Sequence, residues 1–88
     1  FALRNKVAGV IAVGAARNGG QLLAVESVQA ALYCQDMIVV QAGAPTTRSG
    51  AAVWNQSNGE VTGDETGMEA AKAVGRKVAE VALQLGKA

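Results

Sequence analysis

The sequence predicts an α/β fold built on a parallel sheet. Three features between Val7 and Val40 lead there: a short apolar run that does not alternate, a glycine-rich turn with helical periodicity behind it, and a second short apolar run. Together they make one strand–helix–strand unit, whose crossover is expected to be right-handed.

The first run, Val7-Ala8-Gly9-Val10-Ile11-Ala12-Val13, is bounded by Lys6 and Gly14 and reads as a strand buried on both faces. Gly14-Ala15-Ala16-Arg17-Asn18-Gly19-Gly20 is the turn. From Gln21 to about Cys34 the spacing becomes helical, with Leu22, Val25, Val28 or Gln29, and Leu32 near one face and Glu26 opposite. Asp36 ends that helix, and Met37-Ile38-Val39-Val40 is the second strand. A long loop, residues 41–66, follows; it is rich in Gly, Ala, Thr, Ser and Asn and carries Pro45. A loop of that length in a small domain is usually functional or an interface. Within it, Ala51-Ala52-Val53-Trp54 and Glu60-Val61-Thr62 flank Asn58-Gly59, which suits a small hairpin. The last element is the clearest helix: Met68, Ala71, Val74 or Gly75, Val78, Val81 and Leu85 share one side, and Glu69, Lys72, Arg76, Lys77 and Glu80 the other. Asp64 or Thr66 suits its N-cap, Glu65 and Glu69 its N-terminal dipole, and Gly86 its end.

Composition narrows the reading. At 88 residues, half of them hydrophobic, residues 1–88 form at most one small domain. A mean hydropathy of +0.20 argues against disorder. The apolar residues are mostly Ala and Val, with aromatics only 3%, which suits close helix-on-sheet packing. A net charge of +1, spread along the chain, is not the footprint of a nucleic-acid binder. One cysteine and no histidine leave no disulfide framework and no zinc site. No apolar run approaches a membrane span, no signal peptide is visible, and the cytoplasm is the default compartment. The chain opens on Phe1 rather than methionine, and is expected to be a piece of something longer.

The order is therefore β-α-β-long loop-α, and so few elements cannot cover both faces of a parallel sheet. The expectation is the last portion of a doubly wound domain, with a bare strand edge and apolar surface. Open sheets of this type bind ligands beyond the carboxyl ends of their strands. Glycines let backbone approach a ligand, and a helix N-terminus offers N–H groups to oxygen. Gly14, Ala15, Ala16, Arg17, Asn18, Gly19 and Gly20 are thus candidate cofactor-binding residues. The competing reading is a tight turn and nothing more. No acid–base dyad, nucleophile or metal constellation is visible, and no catalytic residue is assigned.

Two families share these patterns. Val13 to Gly20 resembles the TGxxxGxG turn of short-chain dehydrogenases, but Asn18 stands where the middle glycine belongs, Gln41 or Ala42 where a ribose-binding acid would be, and Tyr33 has Met37 four residues on instead of lysine. The broader resemblance is to the C-terminal half of flavodoxin-like NAD(P)H:quinone and FMN reductases, including the tryptophan-repressor-binding-protein type and the archaeal iron–sulfur flavoproteins. It rests on Gly19-Gly20-Gln21 for that group's GGQ, Gln35-Asp36-Met37-Ile38-Val39-Val40 for its HGMxxV, Ser49-Gly50-Ala51 for its Tyr-Gly-Ala, and Val74 to Leu85 for its last helix.

That resemblance implies a partial flavodoxin-like doubly wound sheet whose turn 14–20 lies beside the isoalloxazine ring of FMN. Arg17 then stands near the ring's pyrimidine end or in solvent. Cys34 occupies the place of a histidine beside the flavin, although as a residue type it reads as a small buried side chain. The implied reaction passes electrons from NAD(P)H through flavin to a quinone, flavin or other acceptor. The group's phosphate loop and cysteine cluster would lie in an absent N-terminal half, so FMN binding by this segment alone is expected to be weak or absent. The expected partner is that missing half or a second copy of the chain in a homo-oligomer, with Trp54 at the contact or covering its own sheet edge. The contrasting expectation is a non-enzymatic, self-associating half-domain.

Overall fold

A computed structural model describes residues 2–16, 19–43, 50–55 and 59–87. In chain order they form β1 (Val7–Ala8), β2 (Ile11–Gly14), α1 (Gln21–Cys34), β3 (Ile38–Val39), β4 (Ala51–Trp54) and α2 (Glu65–Lys87). Both pairings are parallel, β1 with β3 and β2 with β4, and the fold is α/β, compatible with a partial flavodoxin-like domain.

The two pairings share one edge. The carbonyls of Lys6, Ala8, Val10 and Gly14 accept hydrogen bonds from the N–H groups of Ile38, Val40, Ala51 and Asn55, each at 2.9 Å. Alternate residues of an extended run direct their backbone groups the same way, so β3 and β4 lie end to end along the same side of residues 7–14. Register agrees: Ala8 stands opposite Val39 and Ile11 opposite Ala51. β3 and β4 therefore pair in turn with one continuous run of the chain. Gln41, just after β3, reaches Gly50, just before β4: its Oε1 accepts from the Gly50 N–H at 2.7 Å and from Gln29 Nε2 of α1 at 3.0 Å.

The helices lie on opposite faces. A Cβ on Gly9 would strike Val74 of α2, whereas one on Gly14 would meet the Gln21 side chain of α1 at 2.7 Å. Strand residues of opposite parity point to opposite faces. The buried apolar residues are small: Val10, Val25, Val40, Ala51, Val53, Ala70 and Val74. Close approach is enforced where α1 crosses the strands, because a Cβ on Gly50 would sit 2.5 Å from the Val10 carbonyl oxygen and 2.7 Å from Val25 Cγ1.

Several expectations change. Residues 7–14 are not buried on both faces: Ile11 and Val13 are 50% and 56% exposed, and no strand covers their far edge among the described residues. The stripe that α1 buries is Gln21, Val25 and Gln29, while Leu22, Leu23 and Val28 are exposed. This helix is apolar on nearly every side, so periodicity cannot select its inner face; such a helix belongs in a fully enclosed position. Ala51–Trp54 is no hairpin arm but strand β4, pairing in parallel with β2 inside what reads as loop 41–66, and Val61 lies outside any strand. Asn58 lies outside the described residues, as do Pro45 and Ser49. α2 runs through Gly86 to Lys87, and its burial ends near Val81, leaving Leu83 and Leu85 exposed. Among the described residues, no helix is long and apolar enough to cross a membrane.

Candidate functional site

Parallel pairing brings the carboxyl ends of β2 and β4 level, Gly14 opposite Trp54, and both helices start at that end. Strand ends, a glycine turn and helix N-termini therefore meet in one place, where open α/β sheets bind ligands.

The turn is held by side chains that reading the chain in one dimension passes over. Gln21, the first residue of α1, is only 6% exposed. Its Oε1 accepts from the Gly19 N–H at 2.8 Å, and its Nε2 donates to the carbonyls of Ala16 at 2.7 Å and Val53 at 3.3 Å. One amide thus closes the turn on itself and ties it to β4. Glycine at position 14 is what leaves room for that amide. Trp54 adds a second tie, its indole Nε1 donating to the Ala15 carbonyl at 2.9 Å. Gly20 adopts φ +92, a conformation that favours glycine, and a Cβ there would meet nothing within 4 Å.

The helix N-termini differ. Asp64 caps α2: its Oδ1 accepts from the Gly67 N–H at 3.0 Å and its Oδ2 from the Trp54 N–H at 2.8 Å. With Glu65 in the first turn, α2 is already supplied with negative charge. α1 starts from Gly20 with no side-chain cap and no acidic residue in its first turn. An incoming carbonyl or anionic oxygen is therefore better received at α1 than at α2. An open cleft of about 490 Å³ lies alongside, lined by Gln21, Val53, Trp54, Asp64 and Thr66 among others.

The structure gathers Gly14, Ala15, Ala16, Gly19 and Gly20 at this end. Arg17 and Asn18 lie outside the described residues. Cys34 is not brought to the turn: it is the last residue of α1, about 20 Å of helix away at 1.5 Å per residue. It is also exposed rather than buried, because it falls off the stripe of Gln21, Val25 and Gln29. Tyr33 is likewise exposed. Trp54 is half-buried over the turn rather than at the free edge of β2. Among the described residues no cluster of His, Cys, Asp or Glu is arranged to hold a metal ion. Asp64 is legible in the sequence as a cap; its second oxygen on β4, and the roles of Gln21 and Trp54, are not. A glutamine directly after two glycines at a helix start is the one local signal that points to Gln21.

Comparison with known proteins gives two relatives. Over 87 residues, 99% of this chain, it is 40% identical to an iron-sulfur flavoprotein of Methanocaldococcus jannaschii, covering 45% of that protein. Over 72 residues, 82% of the chain, it is 36% identical to an iron-sulfur flavoprotein of Methanosarcina thermophila, covering 36% of it. The chain thus spans less than half the length of the curated relatives it matches. No family model matches, and no solved structure matches. The similarity is consistent with a flavodoxin-like flavoprotein.

Proposed function

We propose that this chain is the C-terminal portion of a flavodoxin-like, FMN-dependent oxidoreductase, with turn 14–20 as one wall of the flavin site. The observation that carries the reading is the turn's construction: a small-residue loop at the carboxyl end of β2, opening onto a helix N-terminus that no side chain caps. Similarity to two proteins named flavoproteins supports it.

The residues present suit one side of such a cofactor. Gly19, Gly20 and Ala16 add almost no side chain, so a flat ring can approach the backbone. The first-turn N–H groups of α1 suit ring carbonyl oxygens. Bound flavin supplies hydride and single-electron chemistry, passing electrons from NAD(P)H to a quinone, a second flavin or another acceptor. The chain's part is to place the ring and surround its polar edge with donors. With Cys34 as its one cysteine, it holds no iron–sulfur cluster by itself; cluster ligands would come from outside these 88 residues.

The site is completed by a partner, as is the sheet. Ile11 and Val13 beside an edge that no strand covers among the described residues, with Leu22, Leu23 and Val28 exposed on α1, suit the part of the relatives that the match leaves uncovered. A second copy of this chain is the other occupant, and would make a self-associating half-domain. FMN fluorescence titration separates the cases. Alone, the chain is expected to bind weakly or not at all. Mixed with the uncovered part of the Methanocaldococcus relative, it is expected to give a yellow complex of one flavin per assembly. A colourless complex overturns the flavin reading, and tight 1:1 binding by the chain alone overturns the need for a partner.

A further inference from the structure

We infer that the far edge of β2 receives a strand–helix unit from outside this chain. Its strand extends the sheet parallel to β2, and its helix lies beside α2, over Ile11 and Val13. This narrows the partner proposed above, and stands on the sheet rather than on the flavin.

Two observations carry it. The first is the backbone. Lys6, Ala8, Val10 and Gly14 turn their carbonyls toward β3 and β4, so Gly9, Ile11 and Val13 turn their N–H and C=O groups the opposite way. No strand meets them there among the described residues. An edge left to water is normally guarded by charged side chains or proline, and residues 7–14 carry neither. The second is a contrast inside each cross-strand pair. Ile11 stands opposite Ala51 and Val13 opposite Val53, all four on the face where α2 packs on β4 and β1. Ala51 and Val53 are 0% and 2% exposed, but Ile11 and Val13 are 50% and 56%. One member of each pair is covered and the other is bare. An added strand alone would satisfy the free backbone groups and leave both side chains in water. A helix on that face covers them, and a helix is the usual connection between parallel strands.

A second copy of this chain does not fit the gap. Joined by a two-fold axis, this edge would meet itself antiparallel, and each α2 would stay over its own β4. Ile11 and Val13 of both copies would then line the seam uncovered. The relatives hold another source, because the match covers only 45% of the Methanocaldococcus protein.

The test compares the chain alone with a chimera in which it replaces the 87 residues it matches in the Methanocaldococcus relative. Alone, the chain should sediment as a monomer, with fast amide exchange at Ile11 and Val13 and protection at Ala12, whose N–H faces β4. In the chimera, exchange at Ile11 and Val13 should slow about a hundredfold or more. Ile11→Pro removes only a far-edge N–H, so the chain alone should keep a cooperative urea transition while the chimera's midpoint falls. Ile11→Thr keeps the N–H and the branched Cβ; it should leave the chain alone unchanged and lower the chimera's midpoint, because its hydroxyl goes beneath the helix. A dimer of the chain alone with Ile11 and Val13 protected overturns the inference in favour of a second copy. Equal exchange at both residues in chain and chimera, or loss of the cooperative transition in the Ile11→Pro chain, overturns the added strand. An Ile11→Thr chimera as stable as its parent overturns the helix. A colourless chimera with Ile11 and Val13 protected defeats the flavin reading and leaves this one standing; a yellow chimera with both exchanging fast does the reverse.

Discussion

Removal of the Asp64 carboxylate is expected to cost more than an ordinary helix cap, because each oxygen does a different job. Oδ1 accepts from Gly67 at the third position of α2, and its loss alone costs about 1 kcal/mol, in a range of about 0.5–2. Oδ2 accepts from the Trp54 N–H at the end of β4, and stranding that half-buried donor costs a further ~1–3 kcal/mol. Asp64→Ala should therefore lose about 2–4 kcal/mol. A chain of this size holds roughly 4–13 kcal/mol in all, from about 0.05–0.15 kcal/mol per residue. Urea denaturation measures the loss, and thermal melting should fall by about 4–8 °C per kcal/mol. Two further variants separate the oxygens. Asp64→Ser can still cap α2 but is too short to reach Trp54 as well, and should recover about 1 kcal/mol. Asp64→Asn must aim its NH₂ at one of two donors, so it should stay well below wild type. Asp64→Ala within about 0.5 kcal/mol of wild type, or Asp64→Asn equal to it, would refute the double role.

Other perturbations test other parts of the fold. Gly50→Ala should destabilise by at least about 2 kcal/mol in urea, since φ is +67 and the new methyl meets the Val10 carbonyl and Val25; tolerance would mean that Gly50 does not approach α1 this closely. Trp54→Phe keeps the ring but drops the bond to Ala15, so a loss near 1 kcal/mol is expected, and an unchanged melting curve would count against the tie. As the sole tryptophan, Trp54 also reports on the turn: ligand binding there should change its emission, whereas a silent spectrum at saturating FMN in the assembled protein would move the site elsewhere. Arg4→Ala should stay within about 1 kcal/mol of wild type by the same denaturation, because the 2.9 Å pair with Asp36 is more than half exposed on both sides. Val13→Lys should leave the chain alone nearly as stable but lower its affinity for the completing partner at least tenfold by sedimentation or calorimetry, provided that partner covers the far edge of β2.

Local chemistry made much of this chain readable in one dimension. α2 shows itself because apolar and charged residues alternate with its turn, and Asp64 stands at its start as an N-cap should. The apolar segments holding β1, β2 and β3 and the glycine turn between β2 and α1 are visible for the same reason: period, β-branching and glycine each act over a few residues. α1 is visible as a helix but not as an oriented one. Its outer side is as apolar as its inner side, so the buried stripe depends on which surfaces happen to be present.

Composition and local pattern determined the α/β class, the small-residue core, the position of the turn and the existence of both helices, since these follow from neighbours along the chain. Tertiary structure alone decided that Ala51–Trp54 continues β3 along the same edge, because strand pairing depends on register between residues some forty positions apart. It also decided that Gln21, Trp54 and Asp64 are linked through one network of hydrogen bonds, and that Cys34 stands a helix length away from the turn. A hydrogen bond needs two groups within about 3 Å, and only folding brings residues so distant in sequence that close.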